Sequence, residues 1–128
     1  MNLDEIRDSE SKLGIQIPEL LKEFYVEVGY GFLKSKVDNI NRIMDPESVL
    51  DFRLRQYDFE FYPDIEIYNQ FEDDKLVFFE ANEVALLSIG FAAENKGKIY
   101  YYDKEIAPNL VEFLELLMED DTFYYDLI

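Results

Sequence analysis

Leu20, Leu21, Phe24, Tyr25 and Val28 recur at i, i+1, i+4, i+5 and i+8, which is the spacing of one face of an α-helix. Pro18 suits the first helical position and Gly29 a stop, so the pattern predicts a helix between them. Upstream, Asn2 followed by Glu5 makes a capping-box start. Leu3, Ile6, Glu10 and Leu13 carry a partly apolar stripe from there to Gly14, a short first helix. Asp45-Pro46-Glu47 opens a third helix with Val49, Leu50 and Leu54 on one side and Arg53 and Arg55 nearby, fading near Gln56. A closing helix follows Pro108, with Leu110, Phe113, Leu114, Leu117 and Met118 at helical spacing, and ends at Glu119-Asp120-Asp121.

Between these helices the apolar runs shorten. Gly29-Tyr30-Gly31-Phe32 is a turn, and a short strand is expected over Ile40 to Met44. Leu76 to Phe79, Val84 to Ile89 and Lys98 to Tyr102 are three β-like runs, the last two joined by a hairpin turn at Asn95-Lys96-Gly97. Together they predict an antiparallel meander. The tail from Phe123 to Ile128 is apolar enough to dock on the core. Leu20, Leu21, Phe24, Leu110, Phe113, Leu114 and Leu117 are expected in that core.

Residues 57–74 differ from the rest: seven acids, six aromatics and no base. Tyr57, Phe59, Phe61, Ile65 and Ile67 fall on odd positions, and Asp58, Glu60, Asp64 and Glu66 on even ones. An extended course would put the four carboxylates on one face and the rings on the other. Pro63 then marks an edge strand or a break between strands.

Composition bounds the rest. A chain of 128 residues with 48% hydrophobic content suffices for one core, so a single domain over 1–128 is expected. The start Met-Asn-Leu-Asp-Glu has neither a basic nor an apolar region, and no apolar run is long enough to cross a membrane. Cytoplasmic residence is therefore expected, and the lack of cysteine agrees with a reducing compartment. Twenty-nine acids against 12 bases give a net charge of −17, which repels nucleic acid and anionic membranes and favours fast, salt-sensitive encounter with a basic protein.

Two absences remove reaction classes. Without His or Cys there is no Ser-His-Asp or Cys-His pair and no ordinary zinc site. No EF-hand loop, phosphate-cradling glycine motif or Gly-x-Ser-x-Gly elbow occurs either. Carboxylates remain for a glycosidase-like pair or magnesium, but nothing in their spacing assembles them. The expectation is a non-catalytic protein without cofactor or metal.

The succession of a helix, the step Leu13-Gly14-Ile15-Gln16-Ile17-Pro18, a helix containing Phe24, and the turn Gly29-Tyr30-Gly31-Phe32 resembles the N-terminal pattern of the SUKH superfamily, which includes the Smi/Knr cell-wall regulators. Met44-Asp45-Pro46-Glu47 resembles the start of that family's next helix. Gly97-Lys98-Ile99-Tyr100-Tyr101-Tyr102 is similar to its Gly-x-Val-Tyr strand, and Leu110-Val111-Glu112-Phe113-Leu114 to its C-terminal Phe-x-x-Phe-Leu element. Glu80-Ala81-Asn82-Glu83 lacks the glycine-rich turn common there. The resemblance implies an α+β domain, a central mixed or antiparallel sheet flanked by helices, acting as an immunity protein that binds and neutralises a cognate bacterial toxin, many such toxins being nucleases or deaminases. The alternative it carries is a regulatory interaction module of the cell-wall or signalling kind.

For partner binding the first candidates are Asp58, Glu60, Asp64 and Glu66, with Glu72, Asp73 and Asp74 close by, because a row of carboxylates can pair with Arg and Lys that would otherwise hold phosphates. The competing reading is a solvated strand face that discourages edge-to-edge aggregation. Tyr57, Tyr62 and Tyr68 serve either as aromatic anchors or as core. Tyr30 is either presented to a partner or simply part of a helix-ending turn.

Overall fold

The computed structural model describes residues 2–32, 41–60, 65–81, 85–120 and 122–126. Helix α1 (Leu3–Leu13) starts where the Asn2 side-chain oxygen accepts the Glu5 N–H at 2.9 Å, and stops at Gly14, whose φ of 68° is left-handed. Glu10 then ties α1 to the following step. Its carboxylate accepts the Ile17 N–H at 2.8 Å and pairs with Lys22 at 3.2 Å. Helix α2 (Glu19–Glu27) follows, with Pro18 at its N-cap, one residue before the position expected for it.

Helix α2 buries Leu21 and Tyr25. Phe24 is half-buried, while Leu20 and Val28 are 36% and 73% exposed, so the apolar face is narrower than its spacing suggested. The Tyr25 hydroxyl donates to the Met44 carbonyl at 2.5 Å, across to the segment after β2. Burial first, and then the Asp45 charge, push this phenol well above the usual tyrosine range, so it stays a donor.

The sheet has six strands in sequential order, all antiparallel: β1 (Gly31–Phe32), β2 (Asn41–Ile43), β3 (Lys75–Ala81), β4 (Ala85–Gly90), β5 (Ile99–Tyr101) and β6 (Lys104–Ala107). Of the mixed and antiparallel alternatives, the antiparallel one holds. Strand β2 lies within the predicted strand, but β1 occupies part of the predicted turn, and β6 had no predicted counterpart. The β5–β6 hairpin turns at Tyr102-Asp103, where Tyr102 takes φ 55°. That conformation normally favours glycine, asparagine or aspartate, so a tyrosine conceals the turn.

Central strands β3 and β4 are buried almost throughout. A strand covered on both faces has no polar side, which is why both appear in the sequence as continuous apolar runs. Helix α3 (Pro46–Leu54) packs on β3 and α1, and α4 (Leu110–Glu119) packs on β6 and α2. Leu110, Phe113 and Leu117 of α4 are buried and Leu114 half-buried. Phe78, Phe79 and Phe113 meet at ring distances of 5.0 to 6.2 Å in the core. The tail docks as expected: Tyr124, in a 3-10 turn over Phe123–Asp126, is fully buried and donates to the Asn41 side-chain oxygen at 2.5 Å.

The acidic aromatic segment is not a strand where it is described. Tyr57–Phe59 and Ile65–Phe71 are 3-10 helices. Three residues per turn replaces the two-residue alternation in both described stretches, so Glu60 and Glu66 are not carried on a strand face there. The reason lies in α3. Phe59 and Tyr68 both pack edge-on against Phe52, at 5.1 and 5.7 Å, and Tyr68 and Phe71 contact Tyr102 at 5.2 and 4.9 Å. These ring contacts bury Phe59 and Tyr68 while leaving Ile67 43% exposed. Pro63, with 61–64 generally, lies outside the described residues.

Candidate functional site

A groove of about 770 Å³ opens between α1 and α3. Helix α1 lines it with Glu5, Asp8, Ser9 and Lys12, at i, i+3, i+4 and i+7. Helix α3 lines it with Glu47, Leu50, Asp51 and Leu54, at the same spacing, and Asp45 and Pro46 stand at its start. Each set is therefore one face of its helix, and packing α1 on α3 sets the two faces around a shared trough.

Two turns complete the wall. Tyr30 comes from the turn between α2 and β1, where Gly29 and Gly31 take φ 113° and 117°, values that glycine alone adopts readily. Gln56 and Tyr57 come from the turn after α3, in which Arg55 and Tyr57 hold φ 57° and 52°. A non-glycine residue in that region is strained, by roughly 1–3 kcal/mol. Tyr30 is 57% exposed and Tyr57 77%.

Five carboxylates line the groove against one lysine. Lys12 pairs with Asp8 at 3.3 Å, and Asp45 pairs with Arg42 at 3.4 Å and accepts from Ser48. Ser9 is more than nine-tenths buried, lines the groove, and makes no side-chain hydrogen bond among the described residues.

The sequence candidates scatter. Tyr30 is in the groove and Tyr57, weighed as an anchor, joins it. Tyr68 is core. Glu60 and Glu66 are exposed, but on a segment without the expected strand geometry. Tyr62, Asp64 and the Asp58 side chain lie outside the described residues.

Glu72 is bound inward: Arg55 donates to both of its oxygens, at 3.2 and 3.1 Å, and also to Asn69 at 2.7 Å. Burial nevertheless pushes the Glu72 carboxyl above its usual range, against the downward pull of Arg55 and Arg53. Asp74 pairs with Lys75 at 2.8 Å, and its carbonyl accepts from Phe91 and Asn95. Asp73 is exposed. Glu72 and Asp74 thus each hold an ion pair within the fold, while Glu60, Glu66 and Asp73 are exposed.

The groove carboxylates Glu5, Asp8, Asp45, Glu47 and Asp51 were absent from the sequence expectations. The signal was present as acids at helical spacing on both helices, but only the packing of α1 on α3 joins them. No cluster of three or more acids suited to holding a metal occurs among the described residues. No helix among them is long and apolar enough to cross a membrane.

An antiparallel sheet with helices packed on it, and an open acidic trough carrying exposed tyrosines, define an α+β domain suited to protein contact. The sequence model of the SUKH_6 family, described as SMI1-KNR4 cell-wall, matches residues 3–114, and the chain belongs to that family. It is similar over its whole length, at 56% identity across 128 residues, to the immunity protein YxxD of Bacillus subtilis (strain 168), of which it covers 87%. No solved structure gives a significant match.

Proposed function

We propose that this chain is an immunity protein that binds and neutralises a cognate toxin domain by stoichiometric inhibition. The observation that carries the reading is its 56% identity, over the whole chain, to an immunity protein. Charge sharpens it: a protein of net charge −17 is matched to a basic partner, and a toxin that cleaves nucleic acid needs a basic cleft to hold its substrate. Inhibition then consists of covering that cleft or its approach, without turnover and without a cofactor, in the cytoplasm where the toxin would act.

The test is co-expression with a toxin domain captured from native cell lysate with this chain as bait. Restored growth, together with a one-to-one complex of the purified proteins, is the expected result. Lethality unchanged by the chain, with no complex, would overturn the reading. It would favour instead a regulatory interaction module, a role consistent with the cell-wall description of the family.

A further inference from the structure

We propose that the trough between α1 and α3 is the face that receives the toxin, and that it seats an arginine-bearing segment against Tyr30 and Tyr57; this deepens, and rests on, the immunity reading. Three independent features of the trough converge on that occupant.

The first is charge. Five carboxylates face one lysine, and that lysine is paired with Asp8. The N-terminus of α3 contributes about half a positive charge at the same place, which the carboxylates of Asp45 and Glu47 outweigh. An anionic ligand is therefore disfavoured and a cation favoured.

The second is aromatic exposure. Tyr30 and Tyr57 stand 57% and 77% exposed in a molecule whose Tyr25, Tyr68 and Tyr124 are buried, and each is held out by left-handed backbone at or beside it. Holding Tyr57 in water on strained backbone of its own has no return in the free protein, whereas a guanidinium stacked on the two exposed rings gains attraction at each. Arginine fits better than lysine, because its planar head both stacks and bonds carboxylates in a fork. Leu54, 44% exposed in the groove wall, offers apolar surface for its stem.

The third is Ser9. No fully sealed side-chain nitrogen or oxygen lacks a partner among the described residues. The Ser9 hydroxyl, which has no hydrogen-bond partner among the described residues and lines the groove, is therefore open to one through the groove mouth. An incoming guanidinium N–H is a donor of the required kind.

Two arms test this on the full chain. In the first, amide shifts are followed by NMR while a soluble Arg-Gly repeat peptide is added. Shifts concentrated at Ser9, Tyr30 and Tyr57 support the proposal, and shifts spread evenly over the acidic surface, including Glu94 and Glu119, overturn it. This arm needs no toxin and so stands or falls apart from the immunity reading.

In the second arm, variants are titrated against a catalytically inactivated form of the toxin domain that the wild-type chain neutralises. Y30A/Y57A should weaken binding by about thirtyfold or more, the scale of an interface hot spot. E5Q/E47Q should weaken it by about tenfold, while E94Q/E119Q, which removes the same charge elsewhere, should change it by less than about twofold. Equal effects of the two glutamine pairs, or full rescue by Y30A/Y57A, would overturn the groove while leaving the immunity reading intact. Failure of the wild-type chain to neutralise the toxin would overturn that reading and with it the toxin as occupant, a result distinct from failure of the groove, which the first arm reads separately. Should Y30A/Y57A not fold, the matched glutamine pairs still decide.

Discussion

A methyl group added at Gly90 would lie 2.3 Å from the backbone oxygen of Asn95 and 2.5 Å from its side-chain carbon. Neither can retreat cheaply. Asn95 is buried, its side-chain oxygen accepts the Ala92 N–H at 3.1 Å, and its amide donates to the Asp74 carbonyl at 3.3 Å. Gly90 itself bonds Lys98 and Gly97 across the same turn at 2.9 Å. Gly90→Ala should therefore cost about 2–3 kcal/mol through overpacking, read as a lowered urea midpoint at unchanged slope.

Arg55 and Glu72 should respond unequally to substitution. Arg55→Met leaves a largely buried carboxylate without its fork and should cost about 3 kcal/mol, whereas Glu72→Gln keeps one acceptor for Arg55 and should cost less than about 1 kcal/mol near neutral pH. The sign with pH follows from burial raising the Glu72 carboxyl. The folded state takes up this proton before the unfolded one does, so the carboxyl's contribution to stability falls as pH rises through its range. Subtracting the pH–stability curve of Glu72→Gln from that of the wild type should leave a component declining with pH; a rising one would refute the assignment.

At the level of elements, what the sequence made legible depended on how local the cause was. Helix α1 and its Asn2–Glu5 cap, the Gly14 stop, α3 up to Leu54 and α4 after Pro108 are all dictated by side chains within a turn or two of the boundary. The expected extended course failed in the described parts of 57–74 because the alternation is overridden by packing: Phe52 of α3 and the distant Tyr102 draw in Phe59, Tyr68 and Phe71. Strand β6 was hidden by a tyrosine occupying a left-handed turn position. The candidate site shows the same division, since Tyr30 was visible on its glycine turn whereas the acids of α1 and α3 became one surface only by packing.

The tail belongs to this scale too, because Tyr124 closes the buried end of β2 through Asn41. Tyr124→Phe removes that bond without opening a cavity. It should lower stability by about 1–2 kcal/mol in chemical denaturation while leaving the helix content seen by circular dichroism unchanged.

For the molecule as a whole, the charge of −17 shapes how a partner is met more than how tightly it is kept. Ion pairs such as Glu72 with Arg55 and Asp74 with Lys75 nearly cancel at a distance, so the field that a distant basic domain feels comes from the excess of acids over bases across the whole surface. Contact, by contrast, is made by few side chains, and those in the trough include uncharged tyrosines. Salt should therefore act mainly on encounter. Raising ionic strength from about 0.05 to 0.5 M shortens the screening length severalfold and should slow association with the toxin domain by about tenfold or more, while dissociation changes by less than about threefold. The tyrosine variant Y30A/Y57A should show the reverse, an association rate close to wild type with the same salt slope and a much faster dissociation. Stopped-flow measurement of both rates at several salt concentrations separates the two. Were the tyrosine pair to alter only association, steering and anchoring could not be assigned to different parts of the surface.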